Sequence, residues 1–78
     1  MLETVKEMLE EALQIDPSEV SMNSELVADL GVNSLELADL ILMCEEKFNI
    51  EIEDEDIKKF VTVGDVVNYL KETVGEDE

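Results

Sequence analysis

The chain has 78 residues, enough for one small domain with a modest core and too few for a roomy enclosed active site. Twenty-two acids against five lysines give a formal charge of −17, which excludes a direct nucleic-acid binder and disfavours an anionic membrane surface. Hydrophobic residues make up 45%, too many for a disordered acidic tail, but aromatics only 4%, so the core must be built from Leu, Ile, Val, Met and Ala.

Taken in chain order, Leu2, Val5, Leu9, Ala12 and Leu13 recur at helical spacing and predict a first helix from Leu2 to Ile15. Asp16-Pro17-Ser18 stops it, because proline disfavours helix in the residue before it. Residues 17–33 read as a long loop anchored by Val20, Leu26, Val27 and Leu30, and ended by Gly31. The second helix runs from Ser34 to Phe48, with Asn33 as N-cap, Glu36 in the capping-box position and Asn49 as its stop. Asp54 to Phe60 reads as a short third helix with Ile57 and Phe60 inward. A fourth starts at a Thr62 cap with Asp65 as partner, buries Val63, Val66, Val67, Leu70 and Val74, and stops at Gly75. The expected fold is all-α: a single four-helix bundle over residues 1–78, with a long loop between helices one and two and a short third helix. Residues 75–78, ending in Glu76-Asp77-Glu78, are expected to fray.

Helix two carries two apolar faces. At about 100° per residue, Leu37, Leu40, Ile41, Cys44 and Phe48 form the stripe expected of a core. Leu35, Ala38 and Leu42 fall on another side, among Asp39, Glu45 and Glu46. Apolar patches rimmed by charge are the anatomy of docking surfaces, although Leu35 and Leu42 could instead pack beneath the long loop. The patch begins beside Ser34. Without a histidine in the chain, Ser34 has no imidazole base and makes a poor catalytic nucleophile. The first turn of a helix is, however, a good place to hold a phosphate. The arrangement suggests a serine modified by another enzyme, on a protein that carries chemistry without performing it.

The acid excess either keeps a small protein soluble or attracts basic protein partners. Cys44 lies on the core stripe, where burial would raise its pKa, and reads as a packing residue, as do Met8 and Met43. The acids from Glu45 to Asp56 lack the glycine turn of a calcium loop, so no metal site is assigned. A lone cysteine, no signal peptide and no apolar run long enough to span a bilayer point to a soluble cytoplasmic protein without membrane insertion.

The run Asp29-Leu-Gly-Val-Asn-Ser-Leu35, then Glu45-Glu-Lys-Phe48, Glu51-Ile52, Asp54-Glu55 and Thr62-Val63, closely resembles the acyl carrier proteins of dissociated fatty-acid and polyketide pathways. The resemblance covers nearly the whole chain. It implies a non-enzymatic carrier in fatty-acid, polyketide or related acyl biosynthesis. Ser34, between Asn33 and Leu35, would be esterified by a phosphopantetheinyl transferase with the 4′-phosphopantetheine of coenzyme A, whose thiol holds acyl groups as thioesters. Leu35, Glu36, Ala38, Asp39, Leu42, Glu45 and Glu46 match the positions that the family presents to basic surfaces of synthases, reductases and acyltransferases. On this reading a folded-back acyl chain contacts Leu37, Ile41, Ile57 and Val63, and the protein works as a monomer.

Two positions depart from the family pattern. Asn33 stands where the family has Asp; it can cap the helix but lacks the charge that helps a transferase find its serine, which implies slower modification or a specialised transferase. Glu53 replaces a proline common before the third helix, leaving that turn less rigid. Two other readings fit the same residues: a carrier of an amino acid or other specialised cargo, and an unmodified acidic interaction domain of the same fold.

Overall fold

The apolar spacing at the start of the chain produces α1, Leu2–Leu13, with Val5, Met8 and Leu9 buried on one side in the computed structural model, which describes residues 1–75. The helix stops two residues short of Ile15. Gln14 takes a left-handed conformation (φ 58°, ψ 36°), and the N–H groups of Gln14 and Ile15 donate back to the Glu10 and Leu9 carbonyls at 2.9 and 3.3 Å. That reversal lays Ile15 against the core rather than extending the helix. Asp16 then caps a 3₁₀ turn, Pro17–Glu19, its Oδ1 accepting from the Ser18 N–H and hydroxyl at 2.9 and 2.8 Å.

The long segment that follows is pinned down. Val20, Ser24, Leu26 and Val32 are buried, and Ser24 Oγ accepts from the Ser21 N–H at 3.0 Å. Val27, expected as an anchor, is instead 68% exposed. Its neighbour Leu26 takes the inward position in a tight turn, where the Asp29 and Leu30 N–H groups both donate to the Glu25 carbonyl.

α2 spans Ser34–Phe48, as expected, and ends at Asn49 in the left-handed region (φ 55°), with the Ile50 N–H reaching the Glu45 carbonyl at 3.1 Å. α3 is shorter than expected, Asp54–Ile57 rather than Asp54 to Phe60. Beyond Ile57 the bonds tighten, Lys59 N–H to the Asp56 carbonyl and Phe60 N–H to the Ile57 carbonyl. The tighter winding turns Phe60 into the core, where it meets Tyr69 edge-on with centroids 5.4 Å apart.

α4, Val63–Val74, begins in a capping box between Thr62 and Asp65. Gly75 closes it at φ 81°, its N–H donating to the Lys71 carbonyl at 2.8 Å. The remainder of the tail expected to fray, residues 76–78, lies outside the described residues.

The junction between the long loop and α4 organises the domain. Val63 and Gly64 open α4, so their N–H groups have no acceptor within the helix. They donate instead to the Ser24 and Met22 carbonyls, both at 2.8 Å, while the Leu26 N–H donates to the Val61 carbonyl at 2.9 Å. A Cβ at position 64 would sit 2.8 Å from the Met22 oxygen, so this close approach requires glycine. An antiparallel bridge pairs Glu25 with Thr62 alongside. With α1 packed against both α2 and α4 over a core that includes Val5, Leu9, Leu40, Cys44 and Leu70, the result is the expected all-α bundle of four helices.

Asp65 holds one end of this junction. Its Oδ2 accepts from the Val61 and Thr62 N–H groups at 2.9 and 3.0 Å, and these bonds hold its carboxyl below the ordinary carboxylate range. A lowered folded-state pKa means that the contribution is complete above the ordinary Asp value, about 3.9, and is lost as pH falls through the folded value. Asp65→Ala removes both bonds and should cost about 0.5–1 kcal/mol at neutral pH, the exposed carboxylate being screened by solvent, with the gap to wild type closing in acid. Urea titrations of both proteins over that pH range measure it; a gap that persists in acid would assign the loss to something other than the carboxylate.

Candidate functional site

The segment before α2 is shaped by local bonds. Asp29 Oδ2 accepts from the Glu25 N–H at 2.8 Å and closes the turn that carries Val27 and Ala28. Gly31 lies at φ 69°, a region glycine enters without the clash a Cβ would cause, and its N–H donates to the Val27 carbonyl. Val32 drops into the core, with its N–H donating to the Leu26 carbonyl at 2.9 Å. The chain then turns outward. Asn33 is extended (φ −94°, ψ 177°), its Oδ1 accepts from the Glu36 N–H at 2.8 Å, and Glu36 Oε1 accepts from the Asn33 N–H at 3.1 Å. Ser34 is therefore the first helical residue, exposed at the positive end of a helix of 15 residues.

The second apolar face stands in solvent. Leu35 is 78% and Leu42 54% exposed, and Ala38 between them is also exposed, so these residues do not pack beneath the loop. The acids around them differ. Asp39 and Glu46 are exposed, whereas Glu36 and Glu45 are half-buried and each accepts a backbone N–H: Glu36 within the cap, and Glu45 Oε2 from Ile52 at 2.8 Å. The Glu45 bond spans seven residues and was not visible in the helical pattern; only the approach of the following segment creates it.

Of the residues assigned to an acyl chain, Ile41 and Val63 are buried while Leu37 and Ile57 are half-buried, and all four belong to or pack against the same core. Any chain contacting Ile41 and Val63 must therefore open that core. Cys44 is fully buried, with its thiol 3.9 Å from Met8 Sδ. Burial, aided by the nearby negative charge of Glu45, pushes the Cys44 thiol up to about 12. Among the described residues no three or more His, Cys, Asp or Glu gather in a way that could hold a metal ion. No helix there is long and apolar enough to cross a membrane.

The sequence that builds this helix and its flanking loop is matched by known proteins over nearly its whole length. Residues 3–70 fit the family model described as a phosphopantetheine attachment site. The chain is 46% identical to the acyl carrier protein of Wolinella succinogenes, over 91% of its own length and 93% of that protein. It is 45% identical to the acyl carrier protein of Clostridium acetobutylicum, over 91% and 92%, and 44% identical to that of Helicobacter pylori, over 92% of each. The chain belongs to the acyl carrier proteins. It is a carrier rather than an enzyme, and its cofactor is a covalent 4′-phosphopantetheine.

Two measurements bear on this surface and the core beneath it. Burial raises the Cys44 pKa and shields the sulfur, so little thiolate is available to a reagent. Iodoacetamide should accordingly leave the native protein unmodified at mildly alkaline pH and alkylate it fully in urea, as read by intact mass; rapid native labelling would contradict the buried placement. The charge of −17 crowds a small surface, so added salt or magnesium should raise Tm by several degrees through screening. A Tm that stays flat across a magnesium titration would show that self-repulsion is not what limits stability.

Proposed function

We propose that Ser34 is the residue that carries the phosphopantetheine, and that the exposed face of α2 presents it to the enzymes that load and unload it. The observation that carries this reading is the position of Ser34: the first exposed hydroxyl of a capped helix, with Leu35 beside it almost fully in solvent. A phosphodiester on Ser34 would be at the positive end of α2, which favours an anion by about 0.3–1 kcal/mol. When attached, the arm supplies the thiol on which an acyl group rides as a thioester. Asn33 and Glu36 fix the angle at which Ser34 leaves the loop, and Gly31 lets the backbone make that turn.

Leu35, Ala38 and Leu42 supply the apolar anchor of the dock, and Glu36, Asp39, Glu45 and Glu46 its acidic rim. This combination suits the basic surfaces of a phosphopantetheinyl transferase and of acyl synthases, reductases and acyltransferases. The overall charge accelerates encounter, and the local rim sets register. Between visits the acyl chain folds back among Leu37, Ile41, Ile57 and Val63, each buried methylene contributing about 0.8 kcal/mol against the cost of opening the core. The protein acts as a cytoplasmic monomer in fatty-acid, polyketide or related acyl biosynthesis.

Loading tests the assignment directly. Incubation with coenzyme A and a broad-specificity transferase should add one phosphopantetheinyl mass to the wild-type chain and none to Ser34→Ala; an unmodified wild type, or a modified variant, overturns the role of Ser34. Asn33→Asp keeps the cap and restores a charge beside the hydroxyl, so its loading should be several-fold faster in a timed mass assay. An equal or slower rate would remove Asn33 as the cause of any sluggish modification.

A further inference from the structure

Glu45 occupies two environments at once. It belongs to the acidic rim of the second α2 face, and its Oε2 accepts the Ile52 N–H at 2.8 Å. Ile52 is buried, with exposed Glu51 and Glu53 on either side, in the connection between α2 and α3. That connection has few local devices of its own. Asn49 turns the chain, Ile50 bonds back to the Glu45 carbonyl at 3.1 Å, and Glu53 precedes α3 without a side-chain cap. α3 itself is only four residues long, too short to persist without tertiary support. Glu45 thus fastens the connection twice, by its backbone carbonyl to Ile50 and by its side chain to Ile52. The second fastening is charge-assisted, and a cation arriving from solvent can compete for the same carboxylate.

The geometry points to Glu45 as a positioning residue whose carboxylate latches the α2–α3 connection, so that an ammonium or guanidinium group of a docked partner draws it off Ile52 and loosens α3. This rests on the carrier reading only in taking the α2 face as the dock. Ile57, on α3, is one of the residues proposed to touch the acyl chain, so release of the latch would loosen the wall of the acyl site at the moment of docking. One carboxylate would then couple surface recognition to the mobility of the core's edge.

Amide hydrogen exchange on the unmodified chain, followed by NMR, tests the latch without reference to loading at Ser34. Glu45→Ala should speed exchange at the Ile52 N–H and at the Ile57 N–H, which donates to Glu53, by about tenfold or more, while the buried mid-helix amide of Leu40 keeps its wild-type rate. Glu45→Gln retains an acceptor oxygen and should stay within about threefold of wild type. A short oligolysine peptide at low salt should accelerate exchange at Ile52 in the wild type and have much less effect in Glu45→Gln, a difference that a purely structural role would not produce. Wild-type exchange at Ile52 in Glu45→Ala overturns the latch. If that variant speeds Leu40 as well, the peptide experiment on the wild type decides: bound peptide without acceleration at Ile52 overturns the coupling. Failure of Ser34 to load would leave both results standing, and failure of the latch would leave Ser34 as the loaded residue.

Discussion

The backbone of residues 20–33 must find hydrogen-bond partners away from any regular element, and where it finds them determines the rest of the domain. Many of the partners lie within the segment itself, and the ones that fix it to the rest of the fold are at the start of α4. Met22 and Ser24 lend carbonyls to the unsatisfied N–H groups of Gly64 and Val63, and Val61 returns a carbonyl to Leu26. Each side completes the other: the loop caps the helix and the helix fixes the loop. With Leu26 so fixed, its carbonyl accepts from Val32, Val32 fills the core, and the chain reaches Asn33 at one defined place and direction. The placement of Ser34 thus originates at the beginning of a helix distant in sequence.

The amino-acid composition forces a second compromise. A small domain with few aromatics needs most of its aliphatic residues in the core, yet α2 leaves Leu35 and Leu42 outside. Full burial of a leucine contributes about 1.5–3 kcal/mol, of which Leu35 forgoes most and Leu42 about half. Self-repulsion among the acids draws on the same small margin. The first cost falls on the helix that begins at Ser34 and the second on the whole chain, so a basic partner with an apolar pocket would relieve part of both.

What could be read from the sequence was local. α2 and α4 begin and end where their side chains said they would, because Asn33 with Glu36, Thr62 with Asp65, Asn49 and Gly75 each satisfy backbone groups within a few residues. The start of α2 at Ser34 and its second apolar face followed from the same spacing. What was missed depends on packing. Gln14 turns left-handed because Ile15 reaches back to the core, and α3 tightens because Phe60 must meet Tyr69. Val27 looked like an anchor by composition, but a turn carries Leu26 inward and Val27 outward. The Glu45 to Ile52 bond joins residues whose proximity only the folded chain creates.

The burial of Cys44 has a consequence for custody of the cargo. A thioester is open to exchange with any thiolate that can reach its carbonyl, and a carrier with a reactive cysteine of its own could strand the acyl group on that sulfur, out of reach of the next enzyme. Here the chain's one cysteine is enclosed against Met8 and kept protonated. The polypeptide therefore offers its cargo no accessible thiolate, and thiol exchange within the protein does not compete with transfer to a partner.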